Sequence, residues 1–179
     1  MVPPGVTRGR PNPLHWKFPQ RLRKARQEAD MHAAGLSLAA KVNKNAVTRL
    51  EAGTSLPTLP TIEKLARALA LSPAWLAYGL GNRAPAAATS DPAGLADRAK
   101  KARAILGISL RELAQRAGVT DGAVRSAESG RQSAIGTLEL LAHGLAVSPA
   151  WLAFGLGDRE LPARLKTVAK PTLDPLRNL

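Results

Sequence analysis

Residues 72–81 read SPAWLAYGLG, and residues 148–157 read SPAWLAFGLG, with one difference in ten positions. A repeat this close predicts two copies of one structural unit. The chain has 179 residues, which is enough for two units of about 60 residues each. The aromatic residues of each stretch, such as Trp75 and Tyr78, are three positions apart and share one helix face. We predict that this face lies in the core.

Each repeated stretch opens with a serine and a proline, which begin many helices. Ser72 and Ser148 can cap a helix whose first residue is Pro73 or Pro149. Residues 61–70 place apolar side chains at the i, i+3, i+4 and i+7 positions of an amphipathic helix. With the segments further upstream, each copy is predicted to contain five short helices. In the first copy we place them at 21–30, 32–40, 43–52, 58–70 and 72–79.

These patterns predict an all-α chain built from two tandem five-helix domains. The expected segments are a basic N-terminal arm at 1–20, a first domain at 21–81, a linker at 82–97, a second domain at 98–157 and a tail at 158–179. Alanine and proline dominate the linker, and about a dozen extended residues reach roughly 40 Å, more than the roughly 34 Å of one DNA turn. We expect the arm and the tail to be irregular.

The net charge of +13 is carried mainly by the arm and by the two copies. Residues 21–81 hold nine positive and four negative side chains, and residues 98–157 hold eight and four. A basic surface of this kind favours a polyanion, such as nucleic acid, as the partner.

The composition excludes or disfavours several classes of site. The chain has no cysteine, which excludes disulfides, thiolate zinc sites and cysteine nucleophiles. His15, His32 and His143 lack ligand-like spacing, so we expect neither a metal nor a cofactor. No nucleophile–base constellation is visible, and Glu51 and Glu128 match each other as structural positions at helix ends, so we do not expect an enzyme. Without a secretory signal or an apolar run of about 20 residues, we predict a cytoplasmic, nucleoid-associated protein without membrane contact.

Residues 107–130 of the second copy read GISLRELAQRAGVTDGAVRSAESG, a pattern of two helices joined by a tight turn. Ser109 can cap the first helix and Thr120 the second. Ala114 is small enough for close helix approach, and Gly118 suits the turn. This spacing is typical of a helix-turn-helix, whose second helix enters the major groove of DNA.

Through these residues the chain resembles the lambda-repressor-like helix-turn-helix family, which includes phage Cro proteins and many bacterial regulators. The resemblance covers nearly all of both copies. It includes the Glu-x-Gly after the third helix and the Ser-Pro-x-Trp-Leu of the last helix. It implies double-stranded DNA as the partner, with base contacts from the start and the exposed middle of each third helix.

In the first copy, the base-contacting positions implied by the resemblance are Lys44, Asn45, Thr48 and Arg49. Lysine and arginine can contact guanine, and asparagine can pair with adenine through two hydrogen bonds. We predict that Asn43 caps this helix and leaves backbone amides free for a phosphate.

In the second copy, the same positions are Asp121, Gly122, Arg125 and Ser126, after the capping Thr120. Asp121 would face a polyanion unless it accepts a hydrogen bond from cytosine. Gly122 has no side chain with which to contact a base. The second copy therefore has the poorer base-contacting residues.

The first copy has the poorer scaffold. Gly35 lies inside its predicted second helix, where glycine costs about 1 kcal/mol relative to alanine. Lys41 occupies the position of the turn glycine. The first copy thus has the better base-contacting residues and the poorer scaffold, and the second copy has the reverse.

Residues 8–11 read RGRP, which resembles locally the core of an AT-hook. In that family, arginines such as Arg8 and Arg10 lie along the narrow minor groove of A·T tracts. Two interpretations stay open here, a minor-groove arm and a disordered tail.

The primary hypothesis is a sequence-specific DNA-binding transcriptional regulator of bacterial or phage type, with steric repression as the simplest mechanism. The second is an antitoxin or anti-activator that binds a protein partner through domain 2. The third is a nucleoid-associated DNA-packing protein. The sequence leaves open the target DNA, repression against activation, and the oligomeric state, with a homodimer among the alternatives.

Overall fold

The computed structural model describes residues 13–85, 90–131 and 133–161, and these residues form ten α-helices. A short 3-10 helix at Leu14–Lys17 precedes them. The first copy contains α1 (Phe18–Glu28), α2 (Ala33–Ala39), α3 (Ala46–Glu51), α4 (Leu59–Ala68) and α5 (Pro73–Tyr78). The second contains α6 (Leu95–Ile105), α7 (Leu110–Ala117), α8 (Asp121–Glu128), α9 (Ile135–Gly144) and α10 (Pro149–Phe154). The predicted all-α fold with two tandem five-helix units is confirmed. Within these ranges, no helix combines the length and the apolar character needed to cross a membrane.

The helix starts differ in detail from the prediction. α1 begins at Phe18 rather than at residue 21, with Pro19 in its first turn, where proline favours a helix start, and with the ring of Phe18 fully buried in the core. Ser72 caps α5 as predicted, accepting a hydrogen bond from the Trp75 amide at 3.4 Å. Ser148 occupies the same position before α10, but its hydroxyl makes no capping hydrogen bond. The predicted side-chain cap at Ser148 is therefore wrong, and α10 begins through its backbone alone.

A two-pronged ion pair joins the first and third helices of each copy. In the first copy, Arg26 donates to both carboxylate oxygens of Glu51, at 2.6 and 2.9 Å. In the second, Arg103 donates to Glu128 at 2.6 and 3.0 Å. These hydrogen bonds raise the pKa of both arginines, as paired charge-assisted bonds of this geometry do. Glu51 and Glu128 are confirmed as structural positions.

A second arginine in each copy holds the last helix against the first. The Nε atom of Arg21 donates to the Leu76 carbonyl at 2.9 Å, and that of Arg98 donates to the Leu152 carbonyl at 3.0 Å. Carbonyls in the last turn of a helix lack intrahelical partners and attract cations. Burial lowers the pKa of Arg21 to about 10, so this guanidinium still carries its charge at neutral pH.

The two copies share one continuous hydrophobic core, which crosses from α5 to α10. Tyr78 and Phe154 are fully buried, as predicted, and their ring centroids lie 6.3 Å apart in a tilted arrangement. Each ring contributes about 2–3 kcal/mol through its burial. The hydroxyl of Tyr78 also donates to the Ile135 carbonyl of the second copy at 3.0 Å. The single difference between the repeated stretches therefore lies at the contact between the copies.

The segments before α4 and α9 also pair with each other. Thr58 and Ala134 form an isolated antiparallel bridge, and the Ile135 amide donates to the Pro57 carbonyl at 3.1 Å. Matching elements of the two copies thus meet, as they do in the interface of a two-fold symmetric dimer. The copies form one packed unit, so the reach of the linker does not set the distance between them.

A buried carboxylate attaches the residues before α1 to the second copy. Glu139 on α9 is 2% exposed and accepts hydrogen bonds from the Leu14 amide at 2.6 Å and the His15 amide at 3.0 Å. The His15 ring lies 2.7 Å from the same carboxylate through Nδ1. Burial opposes ionisation of Glu139, but His143, His15 and the two amides outweigh it and hold its pKa at about 2.

We expect Glu139→Gln to lower the free energy of unfolding by roughly 3 kcal/mol at neutral pH, because the depressed pKa measures how strongly the fold prefers the ionised carboxylate. The folded-state pKa of about 2 lies below the ordinary value of 4.5. This contribution is therefore complete above about pH 4.5 and is lost as the pH falls towards 2. Urea unfolding at a series of pH values should show the gap between wild type and variant closing over that window.

The matched control is Glu63→Gln on α4, at the aligned position of the first copy. Glu63 is half-buried and accepts a hydrogen bond from the Ser90 hydroxyl. We expect a smaller loss of stability there. An equal gap for Glu139→Gln at pH 2.5 and pH 7 would contradict the role assigned to the Glu139 carboxylate.

Candidate nucleic-acid interface

The turn between the second and third helices has the same hydrogen bonding in both copies. In each, the amide of the residue after the turn donates to the carbonyl five residues earlier, at 3.0 Å. The turn residue has a left-handed backbone, with φ of +51° at Lys41 and +67° at Gly118. A left-handed conformation costs a residue with a Cβ roughly 1–2 kcal/mol. Lys41 replaces the turn glycine as expected, and at the cost of strain.

The helix-turn-helix of the second copy is capped at both helix starts. The Glu112 amide donates to the Ser109 hydroxyl at 3.2 Å, and the Ser109 amide donates to the Glu112 carboxylate at 2.7 Å. The hydrogen bonds from the Ser109 backbone and side chain lower the pKa of Glu112. At α8, the Ala123 amide donates to the Thr120 hydroxyl at 3.2 Å. The predicted caps at Ser109 and Thr120 are confirmed.

The third helix of the first copy starts later than predicted. The Asn43 side chain accepts a hydrogen bond from the Asn45 amide at 3.1 Å, and α3 begins only at Ala46, without a side-chain cap. Asparagine forms such local turns readily because its short amide reaches the backbone two residues on. The prediction that Asn43 caps α3 is wrong. Lys44 and Asn45 lie in the turn before the helix, ahead of its first helical residue.

A buried serine joins α2 to α3 in the first copy. The Ser37 hydroxyl donates to the Ala33 carbonyl at 2.9 Å and accepts a hydrogen bond from the Val47 amide at 3.4 Å. The aligned residue of the second copy, Ala114, has no polar group with which to make these bonds. Ser37 thus supports a segment that lacks the caps of the second copy.

The first copy presents its predicted base-contacting residues to solvent. Lys44, Asn45, Thr48 and Arg49 are all exposed, while neighbouring residues of α3 fill the core. Among the residues that the structure describes, no carboxylate forms an ion pair with Lys44 or Arg49. Both cations are therefore available to an anionic partner.

The second copy presents a weaker set of side chains. Asp121, Gly122 and Arg125 are exposed, but Ser126 is half-buried. The Thr120 hydroxyl is already engaged as the cap of α8. Asp121 lies in the first turn of α8, where a carboxylate is stabilised by the helix dipole. A carboxylate at Asp121 is thus favourable for the start of α8, although it places a negative charge at a predicted base-contacting position.

Three exposed cations outside the predicted base-contacting set lie in or beside the two helix-turn-helix segments. Lys41 lies in the turn between α2 and α3, Arg111 near the start of α7, and Arg131 three residues after the end of α8. Lysine and arginine are among the residue types that contact phosphate oxygens in protein–DNA complexes. In the sequence, these three residues can be found as positive charges near the turn and the helix caps of the two helix-turn-helix segments. The predicted minor-groove residues, Arg8 and Arg10, lie outside the described residues.

We expect Gly35→Ala to raise the free energy of unfolding by about 1 kcal/mol, because alanine favours the helix interior over glycine by that amount. Gly35 is exposed within α2, and a Cβ placed there meets nothing within 4 Å. Urea unfolding measures the change. The control is Gly118→Ala at the left-handed turn, where we expect destabilisation. A loss of stability in Gly35→Ala would contradict this account of α2.

The comparison with known families agrees with this geometry. A family model described as helix-turn-helix matches the chain twice, at residues 22–76 and 100–152, which together make up more than half of its length. No solved structure matches the chain. Both matches span a turn and the two helices that flank it, α2–α3 and α7–α8. The chain belongs to the helix-turn-helix family of the lambda-repressor (XRE) type, a family of DNA-binding regulators, and carries two such units in tandem.

Proposed function

We propose that the protein is a sequence-specific regulator of transcription that inserts α3 and α8 into the major groove of double-stranded DNA. The observation that carries the proposal is the exposed surface of α3 and of the turn before it, where Lys44 and Arg49 have no carboxylate partner among the described residues. Such cations on a chain of net charge +13 attract phosphates at long range. The neighbouring Asn45 amide and Thr48 hydroxyl supply hydrogen bonds that can distinguish bases.

The two units play unequal parts in this proposal. In the first, Arg49 or Lys44 bonds to guanine and Asn45 to adenine, contacts that discriminate by about 1–3 kcal/mol each. Lys44 and Asn45 contact the DNA from the turn before α3. In the second, Arg125 is the main side chain able to reach a base or phosphate, and Asp121 limits the sites that it tolerates. The first unit supplies most of the specificity and the second mainly adds affinity.

The shared core supports a site with two halves at one fixed spacing. Contacts across the copies, such as Tyr78 to Ile135, hold the units in one arrangement. The chain then acts as a two-fold dimer does, but with two different recognition helices. We therefore propose a target whose halves differ in sequence. Occupying such a site excludes other proteins from the same DNA, so steric repression is the proposed mechanism.

A protein partner is the second candidate function, and Asp121 and Gly122 favour it. These residues give the exposed start of α8 a carboxylate and a bare backbone, which suit a protein surface better than a phosphate chain. In that case the second unit would bind the partner while the first binds DNA, as in an antitoxin or anti-activator.

Selection from random duplexes tests the proposal. We expect a site with two unlike halves, bound at least about 10³-fold more tightly than random DNA, as specific regulators bind. The Kd is measured at one fixed salt concentration, since phosphate contacts make it salt-dependent. A ratio below about tenfold would overturn specific regulation in favour of nucleoid packing.

The same selected duplex tests the fixed spacing. Inserting ten base pairs keeps both halves on one face but moves them roughly 34 Å further apart. Because the shared core holds the two units at one spacing, they cannot bind both half-sites of this duplex together. The affinity should therefore fall to that of a duplex with one half-site. Equal affinity for both duplexes would show that the units bind independently.

We expect Arg49→Ala to weaken specific binding by about tenfold or more, and Arg125→Ala to weaken it less, because a guanine contact is worth about 1–3 kcal/mol. The measurement is the Kd on the selected duplex. Lys64→Ala on α4 removes the same charge outside the helix-turn-helix and serves as the control. Equal losses for Arg49 and Arg125 would reject the ranking of the two units.

A further inference from the structure

A groove of about 410 Å³ lies between α6 and α10, on a face that neither α7 nor α8 lines. Lys101, Ala102 and Ile105 of α6 form one wall. Trp151 of α10 and Arg159, which follows it, form the other, with the Arg159 guanidinium 5.5 Å from the indole centroid. The groove therefore combines an apolar floor with two cations at its edge.

The aligned region of the first copy is filled by a carboxylate. Glu28 stands where the second copy has Ile105, and its carboxylate forms ion pairs with Lys24 and Arg83. Lys24 and Arg83 correspond to Lys101 and Arg159. The Arg83 guanidinium also lies 5.1 Å from the ring of Trp75, as Arg159 does over Trp151. In the first copy, Glu28 thus pairs with the two cations that correspond to Lys101 and Arg159.

The corresponding cations of the second copy differ in their partners. Within the described ranges, no aspartate or glutamate forms an ion pair with Lys101 or Arg159, and the Asp91 carboxylate at the groove is paired with Arg98 at 3.0 Å. Ile105 is 66% exposed, and the adjacent Leu106 is 38% exposed. Since the first copy shows that the fold accepts a glutamate here, packing does not demand the exposed isoleucine.

We propose that this groove binds an acidic peptide segment of a partner protein. A carboxylate of the peptide lies between Lys101 and Arg159, as the Glu28 carboxylate lies between Lys24 and Arg83 in the first copy. An apolar side chain next to it in the peptide covers Ile105 and Trp151. The charge of the groove selects an anion. Pockets for small ligands usually bury 70% or more of the ligand's surface. This groove is open and Ile105 is mostly exposed to solvent, so the groove fits a peptide lying across it better than a small ligand.

The groove is separate from the proposed DNA interface. Its residues lie on the face of α6 towards α10, whereas Arg103 on the same helix pairs with Glu128 of α8. The inference therefore does not rest on DNA binding, and the two activities can be measured independently on one protein.

The test introduces into the second copy the glutamate that the first copy has at this position. Ile105→Glu places a carboxylate within reach of Lys101 and Arg159, so it should weaken peptide binding about tenfold or more while leaving the Kd for DNA unchanged. The probe is a fluorescein-labelled synthetic peptide with alternating pairs of glutamates and single leucine or phenylalanine residues. Matched peptides replace every glutamate by glutamine, or every apolar residue by serine. We expect both to bind at least about tenfold more weakly than the parent peptide.

Two further variants keep the result interpretable. Leu38→Glu exchanges another exposed apolar residue for glutamate on α2, with the same change in net charge, and should retain peptide binding. Glu28→Ile opens the aligned region of the first copy, so the peptide-to-protein ratio should rise from one towards two.

Three outcomes would overturn the proposal. Equal losses in Ile105→Glu and Leu38→Glu would show attraction to net charge alone. Full displacement of the peptide by benzoate at a similar concentration would assign the groove to a small carboxylate. A matching loss of random-duplex binding in Ile105→Glu would make it a nucleic-acid contact.

Discussion

The packing of α5 against α10 is the contact on which the rest of the structure depends. Tyr78 and Phe154 are buried against each other, and the Tyr78 hydroxyl bonds to the backbone of α9. Because each five-helix unit is small, burying these aromatic rings between the units adds to the core of both. The same contact holds α3 and α8 in one relative arrangement, so one interaction serves stability and the proposed geometry of DNA recognition together.

Duplication within one chain allows the copies to differ where a homodimer cannot. The Arg26–Glu51 and Arg103–Glu128 pairs are nearly identical, as are the two turns. The exposed residues beside them have diverged: Lys44 against Asp121, and Glu28 against Ile105. Both differences change surface charge without disturbing the core. The scaffold therefore constrains the buried positions of the two copies alike and leaves the surfaces free to specialise.

Much of the fold and part of the site could be predicted from the sequence. Periodicity and the repeat located all five helices of the first copy, and hydroxyl residues before α7 and α8 identified their caps. The start of α3 was misplaced because Asn43 bonds to the nearby Asn45 amide, a choice between two local hydrogen bonds that residue type alone does not decide. The Glu139 site was also missed, since its amide and histidine partners come from a segment about 125 positions away.

The sequence by itself determined the repeat, the helical class, the helix-turn-helix pattern and the difference in residue type between the exposed positions of the two third helices. All of these depend on residue type and on spacing over short stretches of the chain. Only the tertiary structure decided that the copies share a core, that Glu139 holds the segment before α1, and that Ile105 leaves a groove open where Glu28 closes one. Each of these joins residues far apart in the chain, and contacts of that kind depend on how whole helices pack.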